Sequence, residues 1–259
     1  RPPRSTLSSS SAASDVYKRQ LIYNTLTTSS ADEPFSQYGE LAEEIYMPRD
    51  RSWVAFKLRP GAIWHDGKPI SVDDVIWTFN TLVTEGAPFF RFYYGNVQEV
   101  IKVSNAIVRF NFKSAENREL PLILGQLTVL PKHYWENRDF SKTTQEAPLG
   151  SGPYRVKNFE PGRSLILERD PKYWGIQIPS HKGKFNFDEI RIDYYRDNDI
   201  SLEAFKSGEY DYRLENSSKN WATGYDIPAV SEGLITKNLF NHNRPAGMQG
   251  FIYNTRRPI

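Results

Sequence analysis

The stretch from Trp53 to Val83 constrains the fold more than any other part of the 259-residue sequence. Apolar and polar residues alternate over WVAFKL at its start, which predicts a half-buried β-strand. Ser71 stands three residues before Asp74, a capping-box spacing, and an apolar series with helical periodicity follows. Because Gly86 and Pro88 follow that series, we expect the helix to end there.

Two β-hairpins are predicted farther along the chain. The first joins the runs Val97–Val103 and Ala106–Phe112 through a two-residue turn at Ser104-Asn105. The second joins Tyr154–Phe159 to Leu165–Glu168. Because hairpins exclude a purely parallel sheet, the fold class is α/β or α+β with antiparallel pairs. Further predicted elements are a short helix capped by Asp199 and strands at Ile190–Tyr194, Tyr210–Leu214, Leu234–Leu239 and Gly250–Asn254.

The chain contains no cysteine, which excludes a disulfide framework, a Cys-ligated metal site and a cysteine nucleophile. Its formal net charge of +2 comes from the first twenty residues, which hold four basic residues and one acidic residue. The remainder has 29 basic and 30 acidic residues. Without a basic excess, bulk attraction to nucleic acid or to an anionic membrane is not implied.

Residues 1–20 have a Ser run and no apolar period, so they are not expected to join the fold. One interpretation is a disordered native tail. The other is a non-native tail, because SSSAASDVYKRQ resembles translated adaptor sequence at the ends of assembled sequencing reads. In either case we expect deletion of this segment to leave stability unchanged.

Motifs of enzymatic chemistry are scarce. The sequence has no phosphate-binding loop, no GxGxxG after a strand and no GxSxG elbow. The four histidines lie far apart without a partner at helical ligand spacing, so no metal site is expected. His65-Asp66 is interpreted as part of a turn with Gly67 rather than as an acid–base pair. Trp64 beside that turn is expected in the core.

The segment FKLRPGAIWHDGKPISVDDVIWTF, from Phe56 to Phe79, resembles the signature of extracellular solute-binding protein family 5. These proteins are the oligopeptide- and dipeptide-binding components of ABC importers. Matching positions are Leu58, Arg59, Gly61, Trp64, Asp66, Gly67, Pro69, Asp74, Val75 and Phe79. Further matches occur in family order at Gly150–Tyr154, Arg169–Trp174, Ala204–Tyr212 and Phe251–Pro258. Stretches that resemble the YejA-like branch are Asn117–Pro131, Glu215–Ile227 and Pro245–Asn254.

The resemblance implies an α/β fold of the periplasmic-binding-protein type II, family 5, cluster C. Family members are about twice as long and bind ligand between two lobes, so the chain is expected to be a truncated fragment without the second lobe. By that pattern residues 1–20 are the tail and 21–45 begin lobe one. Residues 46–145 form an inserted extra domain, and 146–259 continue lobe one to the hinge.

The resemblance also implies a non-enzymatic subunit of a bacterial ABC importer. It would capture oligopeptides, possible microcin C-like peptides among them, in the periplasm and deliver them to the membrane permease. The implied partners are an oligopeptide ligand and the permease and ATPase complex, with a monomeric receptor. No nucleic acid, cofactor or metal is expected. A signal peptide is expected to be missing from this sequence.

Ligand-binding residues are expected in three regions that the family uses on lobe one. These are the loop after the first strand, the strand that leads into the second lobe, and neighbouring loops. Arg91 and Tyr93 are further candidates, because they follow Gly86 and Pro88 and could reach the cleft. The predicted ligand-binding residues are Ser29, Ser30, Tyr94, Trp221, Tyr225, Gln249, Tyr253 and Asn254.

Two other functions remain open from the residues alone. The same receptor fold could serve a sugar or another small solute, and the many Tyr and Trp side chains would suit stacking on a sugar. A carbohydrate- or peptide-processing enzyme is the alternative from a different class.

Overall fold

A computed structural model describes residues 21–30, 33, 35–140, 142, 146–241 and 256. The described part has nine strands: β1 (Thr27–Ser29), β2 (Gln37–Gly39), β3 (Ala42–Tyr46), β4 (Trp53–Leu58), β5 (Val97–Lys102), β6 (Ile107–Phe112), β7 (Tyr154–Glu160), β8 (Ser164–Arg169) and β9 (Glu189–Asp193). Its α-helices are α1 (Val72–Thr84), α2 (Pro88–Tyr93), α3 (Leu120–Gly125), α4 (Lys132–Trp135), α5 (Asn198–Lys206) and α6 (Pro228–Ser231). A 3₁₀ turn spans Pro179–His181, and a π-helical turn spans Asn220–Gly224.

The strands form three sheets in which every described pair is antiparallel. A two-stranded sheet holds β1 and β2, a four-stranded sheet has the order β3-β4-β6-β5, and a three-stranded sheet has the order β7-β8-β9. The predicted strands at 53–58, 154–159, 165–168 and 190–194 are therefore confirmed. The hairpins supply the antiparallel pairs that the sequence predicted.

Helix α1 packs on the four-stranded sheet, as the capping box and the apolar period predicted. The Ser71 hydroxyl accepts from the backbone N–H of Asp74, and the Asp74 carboxylate accepts from the backbone N–H of Ser71. The ring of Phe79 meets that of Phe110 edge-on with centroids 5.5 Å apart, and Phe110 in turn meets Phe56 at 6.0 Å. Burial of these rings stabilises the pairing of helix and sheet.

Two local predictions, a turn and a helix cap, were wrong. The loop between β5 and β6 has four residues, 103–106, because the Ser104 hydroxyl accepts from the Ala106 N–H and widens the turn. Helix α5 is capped by Asp197 rather than Asp199, since the Asp197 carboxylate accepts from the Ile200 N–H at 2.9 Å. Asp199 instead lies in the first turn, where its negative charge interacts favourably with the helix dipole.

The predicted strands at 210–214 and 234–239 do not form. No described strand lies beside either segment to accept a ladder of hydrogen bonds. The side chains of the first segment bind locally instead: the Tyr210 hydroxyl donates to the Ser201 carbonyl, and Arg213 pairs with Glu215 at 3.1 Å. The strand predicted at 250–254 and the tail at 1–20 lie outside the described residues.

The Gly150–Gly152 segment joins several parts of the chain. The N–H groups of Ser151 and Gly152 donate to the Ile22 carbonyl, and the His65 N–H donates to the Gly150 carbonyl. A Cβ added to Gly150 would lie 2.1 Å from the Ile22 carbonyl oxygen. Three matched motifs meet here, because the Trp174 indole also donates to the Ser151 carbonyl at 3.0 Å. These three motifs thus fix the backbone at Ile22, which leads into β1.

Candidate ligand cavity

A cavity of about 650 Å³ opens between β1, helix α2 and the segment that follows the 3₁₀ turn. Strand β1 is held there by its pairing with β2 and by the anchoring of residue 22 at the Gly150–Gly152 segment. Its lining residues are Leu21, Tyr23, Thr25, Thr27, Thr28, Ser29, Glu40, Phe89, Phe90, Tyr93, Tyr94, Ile123, Gln126, Thr128, His181, Lys184 and Phe185. A volume of this size falls in the ordinary range of small-molecule sites.

Helix α2 supplies an aromatic wall. Its sequence PFFRFY starts with proline at the first position, which suits a helix N-terminus. Phe89 stacks on Tyr93 with centroids 4.8 Å apart, and Phe90 stacks on Tyr94 at 6.1 Å. Phe89 is 56% exposed, whereas Tyr94 is only 6% exposed. The wall therefore has an anchored inner ring and an outer ring available for contact with a ligand.

Polar side chains line the opposite wall. Thr28 and Ser29 come from β1, while Gln126 and Thr128 follow α3. Within the part of the chain that the structure describes, these four side chains have no hydrogen-bond partner. They offer both donors and acceptors to a ligand.

Glu40 forms the centre of a buried polar network at the back of the cavity. One carboxylate oxygen accepts from the Asn24 amide at 2.8 Å and faces His181 Nε2 at 3.3 Å. The other accepts from the backbone N–H and the hydroxyl of Thr25. Burial alone would raise the pKa of Glu40, but the hydrogen bonds from His181, Asn24 and Thr25 outweigh it and hold that pKa below its ordinary value. Glu40 is therefore ionised and satisfied by the protein itself.

His181 has no nitrogen left for a ligand. Its Nδ1–H donates to the Gly175 carbonyl at 2.8 Å, and its Nε2 faces Glu40. A general base must be within reach of the proton that it accepts. Although Glu40 and His181 both line the cavity, this arrangement holds a wall in place and does not present a base to the cavity. What the cavity offers is stacking, apolar contact and hydrogen bonding.

The predicted site residues fall into four groups. Ser29 and Tyr94 line the cavity with their neighbours Thr28 and Tyr93, although the two pairs are far apart in sequence. Ser30 directly follows β1. Gln249, Tyr253 and Asn254 lie outside the described residues.

Trp221 and Tyr225 lie in a different part of the chain from the cavity lining. The Tyr225 hydroxyl donates to Glu215 at 2.9 Å, and Lys237 lies over the Trp221 ring at 4.7 Å. Arg91 is also absent from the lining, since its guanidinium reaches the Thr84 carbonyl. These three side chains make structural contacts within the described chain.

Sequence reasoning missed Glu40, His181 and Phe185. No local pattern marks them, because their association depends on contacts across the fold: the Asn24 amide of the same network donates to the Tyr173 hydroxyl 149 residues away. Among the described residues no group of three His, Cys, Asp or Glu could hold a metal ion. No helix in the described ranges has the length and apolar character needed to cross a membrane.

Comparisons with known proteins agree with the motifs. The profile of the bacterial extracellular solute-binding proteins, family 5 Middle, matches residues 37–259. The "Peptidoglycan-binding protein YepA" of Agrobacterium fabrum is 42% identical over 245 residues, covering 92% of this chain and 40% of that protein. The "Probable peptide-binding protein YejA" of the same organism is 41% identical over 246 residues, with the same coverage.

Solved structures show the same fold. The oligopeptide-binding protein AppA from Bacillus subtilis, in complex with a nonapeptide, aligns with a TM-score of 0.70 at 21% identity. The alignment covers 87% of this chain and 44% of AppA. The chain thus spans about 40% of the length of the curated relatives that it matches. The predicted fold class and the predicted family are confirmed.

Proposed function

This chain belongs to family 5 of the bacterial extracellular solute-binding proteins, and we propose that it forms one side of a peptide-binding cleft in an ABC importer. The whole receptor would capture oligopeptides outside the cytoplasmic membrane, in the periplasm, and deliver them to a permease and its ATPase. Relatives named as peptide-binding at 41% identity support this ligand class. Microcin C-like peptides are one form that such a ligand could take.

One observation carries the proposal: an aromatic wall and polar side chains that have no partner among the described residues line the same cavity, whose acid is already satisfied. A receptor for peptides of varied sequence has to hold backbone amides and accommodate different side chains. Unused hydroxyl and amide groups suit the first task. Exposed rings such as that of Phe89 suit the second.

The domain division expected from the family pattern assigns residues 21–45 and 146–259 to lobe one and residues 46–145 to an inserted domain. The four-stranded sheet and α1 support an inserted unit, since they are continuous in sequence from β3 to β6. Strand β3 starts at Ala42 and pairs with β4, so we propose that the inserted domain begins at Ala42.

Titration of this chain with di- to hexapeptides tests the ligand class. Because ligand affinity in a two-lobed receptor comes from both lobes, we expect dissociation constants no better than about millimolar for this chain. Backbone amide shifts in NMR spectra should move at β1 and α2. If no peptide shifts these signals but simple sugars do, the ligand class is sugar and not peptide. Recovery of a cleaved peptide would instead indicate an enzyme.

Peptidoglycan fragments are a second candidate ligand. A relative named as peptidoglycan-binding is 42% identical to this chain. The exposed Phe89 ring, stacked on Tyr93, is a platform of the kind that packs on a sugar ring. A disaccharide-peptide added to the same titration separates the two ligands, since it should then bind more tightly than its peptide alone.

A further inference from the structure

The cavity lining holds one acidic side chain, Glu40, and two basic side chains, His181 and Lys184. Glu40 and His181 face each other, and both Glu40 oxygens already accept hydrogen bonds from the protein. Lys184 lines the same cavity, but in the described part of the chain its ammonium makes neither an ion pair nor a hydrogen bond. The cavity thus offers an ammonium without a partner among the described residues, and it offers no carboxylate oxygen that is still available.

The backbone on both sides of Lys184 is held in an unusual conformation. Gly183 and Phe185 both have positive φ, and Phe185 is one of few residues other than glycine that do so in the described chain. Its ring is held by aromatic neighbours: it meets His181 at 5.2 Å and Tyr173 at 5.9 Å. Such a conformation persists only where surrounding contacts impose it, and it tends to occur at functional sites.

The same contacts fix where Lys184 leaves the backbone. Its N–H donates to the His181 carbonyl at 3.0 Å, next to the ring that faces Glu40. The side chain itself is exposed. The Glu40 network and the Phe185 ring therefore position a lysine at the cavity and leave its ammonium open to a ligand.

We propose that Lys184 determines specificity by binding a carboxylate of the ligand, in the first place the C-terminal carboxylate of a peptide. This inference rests on the proposed function. A lysine ammonium is a point charge with three donors, so it can form a charge-assisted hydrogen bond with a carboxylate in several orientations. A ligand ammonium has no free carboxylate to meet at this wall, because the oxygens of Glu40 are occupied.

Three tetrapeptide probes test the proposal: one alanine-rich peptide with a free C-terminus, the same peptide as its amide, and an amide that carries one glutamate. The chain and three variants are titrated by NMR into the millimolar range. Lys184→Met removes the charge and Lys184→Arg retains it. Lys182→Met is the matched control, because Lys182 is exposed nearby but absent from the cavity lining.

The wild-type chain should bind the free acid about tenfold more tightly than the amide, the usual value of one charge-assisted hydrogen bond. Lys184→Met should bind both peptides like the amide, while Lys184→Arg and Lys182→Met keep the preference. Added salt should weaken it, since the ammonium is exposed. If the glutamate-containing amide binds as well as the free acid, Lys184 also recognises a side-chain carboxylate. That result would support its role in binding a carboxylate.

Two results would overturn the role of Lys184 and leave the proposed function unaffected. One is equal binding of acid and amide by the wild-type chain, and the other is a preference that survives in Lys184→Met. If none of the three probes binds the wild-type chain while other di- to hexapeptides do, the role of Lys184 is wrong and the proposed function stands. If no peptide binds while a sugar does, the proposed function is wrong as well.

Discussion

Similar sequence patterns lead to different structures in two regions of the chain. One region is the four-stranded sheet with α1, and the other is the segment 207–241. Both contain short apolar alternations that predict strands. In the sheet, Val54, Phe56, Val108 and Phe110 are almost completely buried against α1. In 207–241 the alternating residues remain exposed, and only Tyr225 is buried. Exposed apolar residues of this segment are Tyr212, Leu214, Leu234, Leu239 and Phe240.

The difference shows what an alternating pattern requires. β4 has a strand on each side, β3 and β6, and helix α1 packs on the same sheet at β5 and β6. The segment 210–214 has no described strand beside it and satisfies its polar groups locally. Local preference selects an extended backbone in both places, but hydrogen-bonded neighbours and burial decide whether a strand forms.

The largest effect that tests this contrast is expected at Trp64. Trp64 is 1% exposed, and Trp64→Ala should lower the free energy of unfolding by about 3–5 kcal/mol because it leaves a cavity in the core. Tyr212→Ala, at a side chain 76% exposed, should change it by less than about 0.5 kcal/mol. Urea denaturation measures both. Equal losses would mean that the two regions are packed alike.

A smaller effect is expected at Gly150. A Cβ there would lie 2.1 Å from the Ile22 carbonyl oxygen, so Gly150→Ala must displace backbone and should cost about 1–3 kcal/mol.

Gly233 in the exposed segment has open space but a φ of +77°. Gly233→Ala should therefore cost only about 1 kcal/mol, from backbone strain. Thermal unfolding compares the two variants, and a larger loss at Gly233 would contradict the contrast.

Helix caps should show a more modest difference. Ser71→Ala removes one half of the capping box of α1 and should cost about 1 kcal/mol. Asp197→Ala removes the exposed cap of α5, and we expect about half of that loss. Circular dichroism during denaturation reports both. A greater cost for Asp197→Ala would place α5 among the tightly packed elements.

The smallest effect concerns acid stability. Because the folded state holds the pKa of Glu40 below its ordinary value, the unfolded chain takes up a proton first as the pH falls. Glu40 thus contributes stability that is present above the unfolded pKa and is lost as the pH falls through the folded pKa.

Glu40→Gln should remove this dependence. Its loss of stability from about pH 7 to about pH 4 should be smaller than that of the wild-type chain. Glu232→Gln, at an exposed carboxylate in the segment 207–241, should keep the wild-type dependence. The prediction fails if both variants show the same pH profile.

Features that depend on residues close in sequence could be predicted, whereas features that depend on distant residues could not. Ser71 and Asp74 are three residues apart, so the capping box could be identified from spacing alone. The cap of α5 was placed two residues too late, because Asp197 and Asp199 both fit the pattern and backbone geometry chose between them. Ser29 and Tyr94 were proposed as ligand-binding residues, and the fold brings both to one cavity. Trp221 has similar chemistry but lies away from it.

The sequence by itself determined the family, the capped helix, most strands of the sheets and the absence of cysteine chemistry. These features depend on residue spacing and on side-chain periods that a linear pattern carries. Only the tertiary structure decided which strands found partners and brought Glu40, His181 and Lys184 to the lining of one cavity. Buried hydrogen bonds such as that from Asn24 to Tyr173 join residues far apart in the chain, and no local period encodes such a contact.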